Sequence, residues 1–164
     1  MVTFSLISFP LRLCGFARKY KKLNMAKRKT RKYSIVIPST QDNLITVELL
    51  AEKVADEAGL SEDDKDNVAI AVTEAVNNAI IHGNKYDKSK NVYVDFIASK
   101  KDIKITVRDE GNGFDPDVLS NPLAPENILK ESGRGVFILR TLMDNIDFSF
   151  SPSGTIITIV KKIS

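Results

Sequence analysis

Three short stretches carry side chains whose types and spacing suit chemistry. In the first, Glu74 and Asn78 lie four residues apart within TEAVNN. On a helix they point roughly 40° apart and stack one turn above the other. The Asn78 amide oxygen suits Mg2+, a hard cation that takes oxygen ligands and binds phosphates alongside. The Glu74 carboxylate can take a proton from an attacking hydroxyl or water. In the second stretch, Asp109-x-Gly111-x-Gly113, a carboxylate ends an apolar alternating run and two glycines follow. Glycine lets the backbone approach a flat ligand closely, and the carboxylate can accept a hydrogen bond from an exocyclic amine. In the third, Gly133-Arg134-Gly135 comes just before an apolar segment. Glycines ahead of a helix leave backbone N–H groups open to phosphate, and Arg134 adds a positive charge.

Each stretch also has an ordinary structural use. Glu74 and Asn78 can form a solvated helix flank, Asp109 a turn, and the paired glycines a loop. The occurrence of all three in one chain, in this order, favours the chemical use.

The elements that must position them are legible as hydrophobic periods. Ser61–Gly83, SEDDKDNVAIAVTEAVNNAIIHG, reads as one long helix. Ser61 and Asp64 form a capping signature, and Gly83 is a natural C′ residue. Val68, Val72, Ala75, Val76 and Ala79 form its core face, and Asn67, Ala71, Glu74, Asn78 and His82 run beside it. Ahead of it, Tyr33–Pro38 reads as a strand. A helix follows over about Asp42–Ala58, capped by Ser39 or Thr40 and closed by Gly59. Asn84–Lys90 is a polar loop. Asn91–Ala98 and Ile103–Arg108 form a hairpin, Asp117–Lys130 a loop, Val136–Asp144 a short buried helix, and Ile146–Phe150 with Thr155–Lys162 a second hairpin. This order predicts a two-layer α/β sandwich, a mostly antiparallel sheet with helices on one face.

Composition sets limits. The 164 residues suffice for one domain with a sizeable core. The single cysteine, Cys14, permits no internal disulfide and no cysteine zinc site, which fits a reducing cytoplasm. The net charge of +3 hides an asymmetry: residues 1–32 hold ten Lys and Arg and no acid, leaving 14 basic against 21 acidic residues in 33–164. The division is therefore a basic tail, 1–32, and a domain, 33–164. The tail has three open readings: an interfacial anchor in contact with a membrane surface, a nucleic-acid tail without a recognised motif, or a start-site artefact with the true start at Met25. The run is too short and too interrupted by Pro10 and Arg12 to span a bilayer. No GxxxxGK[ST], no GxGxxG after a strand and no V-A-I-K, H-R-D or D-F-G set occurs, which removes the commoner nucleotide folds.

With those excluded, EAVNNAIIHGN, RDEGNGFDP and ESGRGVFILRTLMD resemble the N, G1 and G2 boxes of the GHKL ATPase superfamily. More narrowly, they are similar to the anti-sigma-factor serine kinases of bacterial partner-switching systems, over about Tyr33 to Lys162. The resemblance implies the Bergerat α/β sandwich, ATP and Mg2+ as cofactors, and transfer of a phosphoryl group to serine. By position it implies Glu74 as the catalytic base or orienting carboxylate and Asn78 as the Mg2+ ligand. Asp109 is then the acceptor for the adenine amine, with Gly111 and Gly113 shaping that pocket. Gly133, Arg134 and Gly135 belong to the lid over the phosphates, and Thr155 supports the adenine site. The implied partners are an anti-sigma-factor antagonist of the STAS type, a sigma factor or other regulatory protein, and a second copy of the chain in a homodimer. No nucleic acid is expected. The only histidine, His82, lies in the nucleotide helix itself, which argues against a histidine-kinase role. One departure stands out: Lys130, Glu131 and Ser132 occupy the place where well-studied kinases of the group carry an arginine. The alternative is accordingly an ATP-binding partner-switch module without phosphoryl transfer.

Overall fold

The computed structural model describes residues 30–112 and 131–163. Its sheet has five strands, all antiparallel: β1 (Arg31–Pro38), β2 (Asn91–Ala98), β3 (Asp102–Arg108), β4 (Asn145–Ser151) and β5 (Gly154–Lys162). Their spatial order is β1-β2-β3-β5-β4. Among the described residues three α-helices accompany the sheet: α1 (Leu44–Ala58), α2 (Glu62–Asn78) and α3 (Glu131–Leu142). The expected two-layer sandwich is borne out. Alternation puts Val92, Val94 and Phe96 of β2, Ile103, Ile105 and Val107 of β3 and Ile157 and Ile159 of β5 on one buried face. Register carries that face across the sheet, as in the row Phe96–Ile105–Ile159–Ile146. Val47, Ala51 and Val54 of α1 and Val68, Val72, Ala75 and Val76 of α2 pack over it. Each large side chain buried in this core stabilises the fold by about 1.5–3 kcal/mol.

The two long helices form an αα-hairpin. Gly59 ends α1 with φ of 82°, a left-handed cap that glycine adopts without a Cβ penalty. Ser61 Oγ caps α2 by accepting from the Asp64 N–H at 3.2 Å. No helix among the described residues is long and apolar enough to cross a membrane.

Four expectations need correction. The α1 helix is preceded by a 3-10 turn, Gln41–Asn43, and neither Ser39 nor Thr40 caps it with its side chain. Ser39 is instead occupied by Lys90, whose carbonyl accepts from its Oγ at 2.9 Å. The long helix does not run regularly to residue 83: after Asn78 it widens into a π-turn, Ala79–Gly83. Gly83 is therefore no left-handed C′ residue; among the described residues the glycines with positive φ are Gly59 and Gly154. Finally, α3 starts at Glu131, five residues before the expected Val136, so Gly133 and Gly135 lie inside it. Interior glycine costs about 1 kcal/mol relative to alanine. Packing outweighs that here, because α3 buries Leu139 in the core, is followed at once by the buried Met143, and lies against α2. The loop 117–130 and the basic tail up to residue 29 lie outside the described residues.

Candidate functional site

The strand end after β3 and the π-turn after α2 meet at Asp109. This carboxylate is only 3% exposed, yet no cation pairs with it among the described residues. Oδ1 accepts from the Gly111 N–H at 2.8 Å and from the Thr155 N–H at 3.0 Å. Burial of an anion is tolerable where backbone donors face it in this way. Three glycines close around the residue. A methyl group on Gly83 would overlap the Asp109 carboxylate, one on Gly111 would overlap the Gly83 carbonyl, and one on Gly154 would overlap the Asp109 carbonyl. The motif glycine Gly111 thus does what its type suggested, allowing backbone to come close to backbone. Gly154 does the same, and Gly83 lets the Asp109 side chain come close to its backbone. No sequence signal separates such a contact from a helix end or a hairpin turn, the roles their positions suggest.

On α2, Glu74 and Asn78 do project together, and both are half-buried. Asn78 Nδ2 donates to Glu74 Oε1 at 3.5 Å, a long bond that turns the amide oxygen Oδ1 away from the carboxylate. Gly135 of α3 lies directly on the pair: a Cβ there would overlap Glu74 Oε1 and crowd Asn78 Nδ2. The backbone of the third motif therefore reaches the first motif, and the register of α3 depends on residue 135 having no side chain. The sequence placed Gly135 just ahead of a helix, in a stretch suited to phosphate, and gave no sign of this contact with α2.

The donor set fits a phosphate-borne Mg2+. Such an ion usually keeps most of its waters and takes one or two protein oxygens, and Asn78 Oδ1 beside Glu74 offers that. A cation cage made by protein alone is not present: no group of three His, Cys, Asp or Glu that could hold a metal occurs among the described residues. His82 is exposed at the end of the π-turn and joins neither cluster. Of the remaining predicted residues, Thr155 is 5% exposed and adjoins Asp109 through its backbone. Gly133 and Arg134 lie in the first turn of α3, and Gly113 lies outside the described residues.

A second tier of polar contacts surrounds the site. The Glu110 carboxylate accepts from the Tyr93 hydroxyl at 2.6 Å and the Asn91 N–H at 2.8 Å. The Tyr93 hydroxyl above all, then the Asn91 N–H, holds the Glu110 carboxyl below the usual carboxylate range. The Arg108 guanidinium stacks 3.8 Å from the centre of the Tyr93 ring. Glu110 follows directly after Asp109, so these contacts fix the backbone that carries the site carboxylate. Neither Glu110 nor Asn84, which accepts from the Glu110 N–H at 2.8 Å, stands out in the sequence, since both sit in short polar stretches.

The chain belongs to the histidine kinase-like ATPase domain family, whose model matches residues 37–161. Over 136 residues it is 32% identical to the serine-protein kinase RsbW of Staphylococcus aureus strain JH9, a match covering 77% of this chain and 84% of that protein. The RsbW of strain Newman matches to the same extent. Among solved structures, the RsbU and RsbW domains of Rv1364c from Mycobacterium tuberculosis share the fold with a TM-score of 0.60 at 18% identity, covering 81% of this chain and 32% of that one. The blue-light activated histidine kinase of Erythrobacter litoralis EL346 gives a TM-score of 0.53 at 18% identity, covering 78% and 42% of the two chains. The GHKL resemblance carried by the three motifs is borne out.

Proposed function

We propose that this chain is an ATP-dependent serine-protein kinase of a partner-switching system, acting on a small anti-sigma-factor antagonist and holding a sigma factor or similar regulator in alternation. Asp109 accepts the exocyclic amine of adenine, within a pocket formed by Gly111, Gly113 and Thr155. Asn78 ligates Mg2+ through its amide oxygen, and Mg2+ when bound neutralises phosphate charge. Glu74 accepts the proton of the substrate serine, and Gly133, Arg134 and Gly135 contribute to the cover over the phosphates. Phosphoryl transfer demands mainly positioning and charge neutralisation, which suits a site with few reactive groups. Kinship with RsbW serine-protein kinases supports the choice of a protein substrate, and a homodimer in the cytoplasm is part of the same proposal. The observation that carries the reading is the buried Asp109 carboxylate, held by backbone N–H groups and enclosed by glycines.

The test uses two variants of the full chain. Glu74→Ala is expected to bind MgATP within about threefold of the parent and to lose transfer by at least about a hundredfold. Asp109→Asn is expected to lose nucleotide affinity by about tenfold or more. Calorimetric titration and transfer of γ-labelled phosphate to a cognate antagonist read the two effects. Equal loss of binding in both variants would sink the role assignment.

One observation favours a second reading, a module that binds ATP and switches partners without transfer. Gly135 lies against Glu74, so helix α3 covers the carboxylate that would act as base. Glu131 also stands just ahead of the motif glycines, at a place where the GHKL resemblance implies an arginine. Intact-mass measurement of candidate antagonists after incubation with MgATP separates the readings. A gain of one phosphoryl group on any of them excludes the pure module.

A further inference from the structure

Asn84 is 1% exposed and uses its side chain at three places. Nδ2 donates to Ser39 Oγ at 2.7 Å, just past the end of β1, and to the Asn91 carbonyl at 2.9 Å, at the start of β2. Oδ1 accepts from the Glu110 N–H at 2.8 Å, one residue beyond Asp109. Its own N–H donates to the Ala79 carbonyl at 2.8 Å and closes the π-turn. Ser39 is itself 1% exposed and tied to Lys90. The amide thus fills three of its four hydrogen-bonding places inside the protein. Among the described residues, the Asn84–Glu110 bond is the hydrogen bond that joins the π-turn and its exit to the backbone at 109–111.

That position matters because the π-turn carries Gly83, which abuts the Asp109 carboxylate. It also follows directly on Asn78 at the end of α2. The separation between Gly83 and Asp109 is fixed on one side by the Thr155 contacts and on the other by Asn84. Single-turn π segments occur frequently at functional sites, where they re-aim the chain.

We propose that Asn84 is a positioning residue that sets the placement of Asp109 relative to the end of α2, and through it the selectivity for a ligand bearing an exocyclic amine. The inference rests on the reading that Asp109 receives the adenine amine. Without Asn84, the Glu110 N–H and the Asn91 carbonyl lose a buried partner, and the 109–111 backbone relaxes away from Gly83. A hydrogen bond weakens steeply when its angle or distance drifts. A ligand with the amine then loses an interaction that a ligand without it never made.

The experiment compares ATP with inosine triphosphate, which has a carbonyl in place of the amine, on the full chain with Mg2+. The parent is expected to prefer ATP by roughly tenfold or more, and Asp109→Asn to abolish most of that preference. Asn84→Ala is expected to lower the ATP preference by about fivefold or more, while affinity for inosine triphosphate shifts by less than about threefold. With transfer as the readout, KM for ATP should rise with kcat largely kept. Equal loss for both nucleotides, or a preference equal to the parent's, overturns the inference while leaving the Asp109 reading intact if Asp109→Asn behaves as stated. A parent that does not discriminate overturns both. If Asn84→Ala does not fold, Ser39→Ala carries the test: it deletes one partner of the Asn84 amide and should lower the preference by about twofold to fivefold, and an unchanged preference counts against the inference.

Discussion

Asp109 and Thr155 bind one another twice: the Thr155 N–H donates to Asp109 Oδ1 at 3.0 Å, and the Asp109 N–H donates to the Thr155 carbonyl at 3.1 Å. The pair joins the exit of β3 to the entry of β5, extending a strand pairing whose last register is Arg108 with Ile156. The side chain is thereby held as rigidly as the sheet itself. A preorganised acceptor loses little entropy when a ligand arrives, which is the physical basis for assigning recognition to Asp109.

The glycine enclosure makes the first prediction. Gly154 has φ of +134° and abuts the Asp109 carbonyl, so Gly154→Ala combines backbone strain with overlap. Gly83→Ala has no such strain but overlaps the Asp109 carboxylate directly. Both variants should weaken MgATP binding by about tenfold or more. Gly83→Ala should do so at the lower cost in thermal stability, since its clash is with the Asp109 side chain, which can move by giving up its bonds to Gly111 and Thr155, whereas Gly154→Ala clashes with backbone and is strained at φ of +134°. Calorimetry and thermal melts on the two proteins check this ordering.

A second prediction concerns the contact between α3 and α2. Gly135→Ala places a methyl group on Glu74 Oε1 and beside Asn78 Nδ2. The Glu74 carboxylate must rotate or α3 must lift. Phosphoryl transfer should fall by at least about tenfold, and MgATP affinity should fall by less, because Asp109, just past the end of β3, is untouched. Single-turnover transfer and nucleotide titration read the two quantities, and an equal loss in both would show that residue 135 serves nucleotide binding as a whole.

The sheet was readable in the sequence because its central strands alternate over a buried face and the edge strand β4 over a half-buried one. The hairpins at Ser99–Lys101 and Pro152–Ser153 follow from the same alternation broken by polar residues. The α1–α2 junction was readable because Gly59 and Ser61 act through local chemistry, a left-handed φ and a hydroxyl cap. The π-turn was not, because one extra residue in the last turn leaves the apolar spacing of α2 unchanged. The start of α3 was hidden by two glycines that read as breakers, although one of them, Gly135, is what lets α2 come close. Asn84 was unreadable for another reason. A buried asparagine and a solvated one look alike in a polar loop, and only the positions of Ser39, Asn91 and Glu110 tell them apart.

Loss of a core contact should act locally as well as globally. Leu139 is fully buried on α3 and faces the main core, so Leu139→Ala should cost about 2–5 kcal/mol if the site cannot collapse. Because α3 also covers Glu74, protease sensitivity of the segment around Glu131–Leu142 should rise before the global unfolding midpoint is reached. Limited proteolysis with mass mapping checks it, and cleavage elsewhere first would show that α3 is not the weakest-held element.

The last prediction concerns pH. Lys161 on β5 pairs with Asp64 in the first turn of α2 at 2.7 Å, and both side chains are largely shielded. The Lys161 ammonium first, then the Ser61 hydroxyl and Asn67, holds the Asp64 carboxyl below its ordinary value. A carboxyl whose folded pKa lies under its unfolded one binds protons more readily in the unfolded chain. Its contribution to stability is therefore complete above the unfolded value of about 3.9 and is lost as pH falls through the lower folded value. Glu110 shifts in the same direction and adds to the same acid limb. Urea midpoints measured downward from about pH 6 should fall more steeply below about pH 4 for the parent than for Asp64→Asn. A double-mutant cycle with Lys161→Met at neutral pH should give a coupling of about 1 kcal/mol, the upper end for pairs near a surface. Parallel acid limbs in parent and Asp64→Asn would show that the pair does not tie α2 to the sheet.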